Sequence, residues 1–336
     1  IWVQEFARAG WIVDVDAVLP ERERLTYFPA AMEAATFDGR LHAIPWYLDV
    51  GVLYYRRDLL DRYGFEPPRT WSQMVKMART IVEHEGDPQL MGFLWTGKQY
   101  EGLVCVALEF IWSHGGNLLD LNRNGEQALG FMRDLIERER VSPQVVALAD
   151  EETVRLLFGN GRAVFMRNWP YAWKLLNDPR SPVSGKSGMA ALPAFEGHQS
   201  ASVLGGWMLA VPTRSSHREV AVELVRYLTT AQVQRRMALA SGYHPARRDL
   251  YGDPVLQKAQ PWLTDLYPVF LNARARPVTP YYLMLSQVWQ PELSAVVVGS
   301  KEPREAFAAV RQQIRRMAIP QVEARAGAMS QDAGSL

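Results

Sequence analysis

Cysteine is almost missing from this sequence: Cys105 stands alone among 336 residues. An intrachain disulfide is thereby excluded, and a cysteine-based zinc site has too few ligands to form. Net charge is nearly as scarce. With 37 Lys+Arg against 36 Asp+Glu the formal charge is +1, which argues against nucleic acid as principal partner, because duplex binding needs a basic excess. No apolar run approaches the roughly 20 residues that span a bilayer. No nucleophilic Ser or Cys constellation, phosphate loop or dinucleotide glycine motif is present. His42, His114 and His244 lie scattered without second-ligand spacing, so no metal and no cofactor is expected. There is no internal repeat. The opening Ile1-Trp2-Val3-Gln4-Glu5-Phe6 has no Met, basic n-region or apolar signal segment and begins inside what reads as structure, so a fragment of a longer chain is expected.

What is present is a globular composition, 48% hydrophobic and 22% charged, which excludes disorder, collagen-like repeats and coiled coil as the main architecture. At this length two domains are the default, since single cores stop growing near roughly 250–300 residues. Many of the 11 Trp, 13 Tyr and 12 Phe must lie in the core, but so many large flat side chains also suit a pocket that holds its ligand by stacking.

Along the chain, apolar spacing predicts helices over 3–11, 57–63, 102–112, 127–139, 150–158, 218–228 and 231–240, and one opened by Thr70-Trp71-Ser72. Largely helical stretches follow over 255–274, 281–298 and 303–317. Asp38-Gly39 reads as a tight hairpin turn. The apolar run Leu41 to Tyr55, interrupted by Pro45, Asp49 and Gly51, reads as a strand crossing between two domains. Strands are expected at 91–95, 163–166, 189–192 and 203–211, the last with a glycine pair. This alternation is an α/β pattern, for which parallel sheets covered by helices are expected. The tail after Pro320 is small and polar, and disorder is expected there.

Five segments in this order resemble the carbohydrate-binding subunits of bacterial ABC importers, extracellular solute-binding proteins of the maltose/trehalose type. They are Leu41–Pro45 with Asp49–Leu60, Pro68-Arg69-Thr70-Trp71, Phe158–Ala163 with Asn168–Trp173, Leu204–Trp207 with Val211-Pro212, and Ala275-Arg276-Pro277 before Tyr281. Tyr100-Glu101-Gly102-Leu103 and Asn168-Trp169-Pro170-Tyr171 tilt the likeness toward the trehalose/maltose subset. The resemblance implies a two-lobed periplasmic-binding-protein fold with hinge strands. Residues 1–48 would form part of the first lobe and 52–203 the second. Residues 204–257 would return to the first, 258–320 would add C-terminal helices to the second, and 321–336 would be a disordered tail. Family members begin with a further strand–helix–strand stretch, so the first lobe is expected to be incomplete here, with an open sheet edge.

Single residues carry the functional expectation. Asp49 sits in an apolar run where a charge costs several kcal/mol unless paired, and a pair of sugar hydroxyls suits it; a turn or cap at the hinge is the alternative, and the resemblance favours binding. Trp169 and Tyr171 lie in a strand-to-helix loop, where an indole face can stack on a pyranose, while Trp173 reads as core. Gly205 and Gly206 mark either close ligand approach or a hinge needing permissive dihedrals, and Trp207 either pocket or core. Arg276 can span vicinal hydroxyls with its fork or form a surface ion pair; the resemblance favours the ligand. Glu101 can accept sugar hydroxyls or cap the helix that follows. Together these imply a monomeric protein, not an enzyme, that captures an α-linked disaccharide such as trehalose or maltose between two lobes. It would deliver the sugar to ABC importer membrane subunits from the periplasm or cell exterior, with a lipid anchor in the full-length protein as a further implication. A glycoside hydrolase using Asp49 and Glu101, or a binder of a non-sugar solute on the same fold, are the alternatives.

Overall fold

The computed structural model describes residues 1–118 and 122–317. Two sheets organise them, and the chain passes between the two where the apolar run predicts. Strands β1 (Thr36–Phe37) and β2 (Arg40–Leu41) form the expected hairpin, its turn held by Asp38 (φ 49°) and Gly39 (φ 74°), as a type I′ turn requires. Strand β3 (Ile44–Val50) then runs almost without interruption into β4 (Val52–Arg56), yet the two belong to different sheets. The first has the order β8–β3–β9, with β8 at Leu204–Leu209 and β9 at His244–Pro245. The second has the order β5–β6–β4–β7, with β5 at Met91–Leu94, β6 at Ala163–Asn168 and β7 at Ser187–Ala190.

The sheets are mixed rather than parallel, correcting the sequence expectation. Among the strands of the described residues, only β5 and β6 pair in parallel; β3 pairs antiparallel with β8 and β9, and β4 with β6 and β7. The reason is the exchange of chain between sheets: a strand leaving through β3 and one returning through β8 lie side by side and must run oppositely.

The helix Trp71–Glu85 starts with a complete Thr70/Gln73 capping box and ends at the left-handed Gly86. It and the helix Glu151–Gly159 cover the second sheet. The strongly apolar helix Glu101–Ser113 is enclosed by Arg123–Glu137 and Tyr282–Val297, and Pro303–Arg316 closes this layer. The expected helix over 255–274 is broken into Pro254–Ala259 and Trp262–Leu271 because Pro261 cannot continue the first. The second piece packs Tyr267 and Phe270 on Phe28 and Tyr251 beside the first sheet. This helix also reaches both sheets, touching β3 of the first and β7 of the second. The expected tail 321–336 lies outside the described residues.

Candidate functional site

Three passes of the chain between the sheets meet at one point. Gly51 N donates to Val203 O (3.3 Å), Ser202 Oγ to Gly51 O (2.8 Å), Leu204 N to Arg274 O (2.8 Å) and Arg274 N to Ser202 O (2.9 Å). Pinning this knot is an ion pair that is 1% exposed on each side: Arg167 Nη2 and Nε donate to Glu109 Oε1 and Oε2 at 2.6 and 2.7 Å. Val203 N also donates to Glu109 Oε1 (3.2 Å). A Cβ at Gly51 would collide with that same oxygen, so only glycine lets the strand pass here. Sequence reading missed Glu109 and Arg167. Glu109 is a lone charge inside the apolar run Cys105–Ile111 and Arg167 directly follows the apolar run Ala163–Met166, a signal like the one that exposed Asp49.

Asp49 faces Gly205 across the β3–β8 ladder. Its Oδ1 is buried without a partner, as is Arg167 Nη1. Burial drives the Asp49 carboxyl up to about 7, against the opposing pull of the Arg167 charge. A buried acceptor left empty in this way costs about 1–3 kcal/mol and is a place for an incoming hydroxyl. Gly206 has φ 112° and no room for a Cβ beside the Tyr47 carbonyl. Its glycine is thus required by backbone geometry, next to the irregularity at Pro45/Tyr47.

Trp169 does not present an open indole as expected. The Arg167 guanidinium lies over its ring at 4.1 Å, and a Cβ at Gly205 would be 3.0 Å from a ring carbon. Its Nε1 donates to Glu151 Oε1 (3.2 Å), and Tyr100 Oη donates to the other oxygen of that carboxylate. The ring is a wedge between the hinge pin and the floor strand, with one face already occupied. Tyr171 stands apart from this wedge; its Oη donates to Glu152 Oε1 at 2.6 Å. The first turn of the helix Glu151–Gly159 therefore orients both aromatics, a role absent from the sequence reading.

Glu101 neither caps its helix nor stands free. Tyr100 is the N-cap residue, without a side-chain cap bond, and the Glu101 carboxylate accepts from Arg276 Nη1 (2.9 Å), Tyr282 Oη (2.7 Å) and Ser286 Oγ (2.5 Å). The Arg276 fork is accordingly engaged by an ion pair, and a sheltered one, at 15% exposure; its Nε is buried without a partner. Arg276 shares the wall of a cavity of about 410 Å³ with Gly205, Gly206 and Trp207, within the ~300–1,000 Å³ range of small-molecule sites. Trp207 is 58% exposed, which removes it from the core. The structure thus gathers Gly205, Gly206, Trp207 and Arg276 on one cavity, joins Asp49 and Trp169 to it through Gly205, and joins Glu101 through Arg276.

A family model of the bacterial extracellular solute-binding protein matches residues 1–235. The chain belongs to this family. A "Probable ABC transporter-binding protein" of Deinococcus radiodurans is 39% identical over 320 residues, covering 91% of this chain and 76% of its relative. Maltose-bound T. maritima MalE3 superimposes with a TM-score of 0.87 at 39% identity, covering 94% of this solute-binding protein and 82% of that chain. An ABC transporter solute-binding protein of Thermotoga lettingae bound with α-D-tagatose follows at TM-score 0.83 and 26% identity, with 94% and 82% covered. The fold shared with these neighbours is two-lobed, and the Glu109–Arg167 pair sits where the chain crosses between the two sheets. Among the described residues no helix is long and apolar enough to cross a membrane, and no cluster of His, Cys, Asp or Glu could hold a metal ion.

Proposed function

We propose that this solute-binding protein captures a sugar, an α-linked disaccharide such as maltose or trehalose, between its lobes and passes it intact to the membrane subunits of an ABC importer. Capture would take place in the periplasm or at the cell exterior, with a lipid anchor on the full-length protein. The observation that carries this reading is the Asp49–Gly205 floor at the junction of the lobes. There a buried carboxylate oxygen without a partner faces a glycine that leaves backbone accessible, beside a cavity rimmed by Trp207 and Arg276. A carboxylate accepts charge-assisted bonds from hydroxyls, and aromatic surface shelters the apolar C–H face of a pyranose. The likeness to MalE3, whose structure holds maltose, supports the choice of sugar.

The residues assigned to the ligand are Asp49, Gly205, Gly206 and Trp207; the Tyr171 hydroxyl is already engaged by Glu152. Trp169, Glu101 and Arg276 are assigned mainly to holding these in place, since their polar groups are already engaged. The lobes would comprise roughly 1–50 with 204–273, and 52–203 with 275–317. No acid/base pair is set up, because the Glu101 carboxylate is bound by three donors of its own protein. Calorimetric titration with maltose, trehalose, sucrose and glucose tests the proposal. Saturable binding of a disaccharide without its hydrolysis is expected. Silence toward the whole panel, or glucose release that survives repurification, overturns it.

A further inference from the structure

We infer a second carbohydrate site, separate from the Asp49 cleft, in the seam between Trp173 and Trp262; it rests on the reading that this protein binds sugars. The seam encloses a cavity of about 410 Å³ whose walls come from two distant parts of the chain. Trp173 and Lys174 belong to the short helix Ala172–Leu176 that follows β6. Leu239 and Gly242 come from the helix Ala231–Ser241 and its C-cap, which pack against β9, and Gln260 and Trp262 from the junction between Pro254–Ala259 and Trp262–Leu271. The two indoles meet at 4.9 Å between ring centroids with a 41° tilt, forming a corner of apolar surface that remains partly exposed.

Gln260 decides what such a corner would hold. Its side chain is 5% exposed, its Nε2 donates to Ala238 O at 2.8 Å, and its Oε1 is buried with no partner. A ligand that supplies a donor there relieves that vacancy. Lys174 at the rim spends one N–H on Ala240 O (2.7 Å) across the seam, leaving further donors of its ammonium for ligand oxygens. The Asn177 amide is already occupied, through Trp173 O and Gly185 N. No carboxylate lines the cavity, so a cation gains nothing, and the single ammonium already serves a carbonyl, which disfavours an anion. An apolar face, hydroxyl donors and hydroxyl acceptors on one neutral ring describe a pyranose. Because its walls come from both lobes, a sugar held here would also tie them together.

The test is calorimetry of the full chain with maltose, carried into the millimolar range, on the wild type, Asp49→Asn, Trp262→Ala and Gln260→Met. Two binding events are expected in the wild type. Trp262→Ala and Gln260→Met should weaken the second about tenfold or more, equivalent to about 1.4 kcal/mol, and leave the first intact. Asp49→Asn should weaken the first and leave the second. Trp262→Phe should recover part of the loss, and it replaces the alanine variant if that one does not fold. A single event abolished by Asp49→Asn overturns the second site while the proposed function stands. A second event indifferent to Trp262 and Gln260 also overturns it. No maltose binding of any kind overturns this inference; the proposed function falls only if trehalose, sucrose and glucose are silent as well.

Discussion

Replacing Glu109 by glutamine exchanges one carboxylate oxygen for an amide nitrogen where the chain crosses between the sheets, and should cost more than any surface substitution. The carboxylate takes both bonds of the Arg167 fork at 2.6 and 2.7 Å and one from Val203 N at 3.2 Å. Glutamine keeps the shape but puts an amide donor against one of the guanidinium donors and removes the only carboxylate bonded to a guanidinium that is 1% exposed. Breaking a buried pair by removing one partner costs about 3–5 kcal/mol. The third Arg167 nitrogen, Nη1, already lacks a partner, so no spare acceptor stands ready to absorb the loss. Urea unfolding should show a lower midpoint at unchanged slope. The double variant Glu109→Leu/Arg167→Met removes both charges and should recover most of the stability, giving a coupling energy of several kcal/mol. A single-variant loss below about 1 kcal/mol, or strict additivity of the two sites, would refute the role of this pair as the pin of the hinge.

Gly206→Ala should destabilise by about 2–4 kcal/mol, because φ 112° strains any other residue and the new Cβ meets the Tyr47 carbonyl; an alanine variant with wild-type thermal stability would contradict the geometry. For Asp49, whose carboxyl is raised to about 7, the folded state holds a proton that the unfolded chain releases near pH 4. Stability contributed by this group should therefore fall as pH rises from about 4 to 7 and level off above, at up to about 1.4 kcal/mol per unit. His244, lowered to about 4 by burial, acts with the opposite slope below its ordinary range, so the comparison is wild type against Asp49→Asn; parallel pH profiles would remove Asp49 as the cause. Trp169→Ala should lose about 3 kcal/mol of folding stability and also sugar affinity, since the ring braces Gly205; a large stability loss with unchanged affinity would confine Trp169 to packing.

Most of the fold was legible because its signals are local. The Thr70 cap, the Asp38-Gly39 turn and the crossing run around Asp49 and Gly51 each depend on residues adjacent in sequence. Sheet direction was not, because it depends on which distant strands become neighbours. Asp49 stood out as a lone carboxylate among apolar residues, and applying that rule throughout would have found Glu109 and Arg167 as well. The partnership of Glu101 with Arg276, Tyr282 and Ser286 joins segments more than 170 positions apart. Nothing in the spacing of any one of them announces it, and so the ion pair weighed as one reading of Arg276 could not be given its partner. The surroundings of Trp169 were hidden for a related reason: one face of its ring is covered by Arg167 of β6, and Gly205 approaches it from a strand in the other sheet.

The most direct test is a calorimetric titration of maltose and trehalose into the wild type and Asp49→Asn, with thermal unfolding measured on the same samples. The expected result is disaccharide binding at the cleft in the wild type. At pH 8, above the Asp49 titration, that event should weaken in the variant by roughly 10–100-fold, for the loss of about 1.5–3 kcal/mol of hydrogen bonding to a charged group, without a fall in stability. Equal affinity in the two proteins, or no binding of either sugar to the wild type, would contradict the assignment of Asp49 to a sugar held between the lobes.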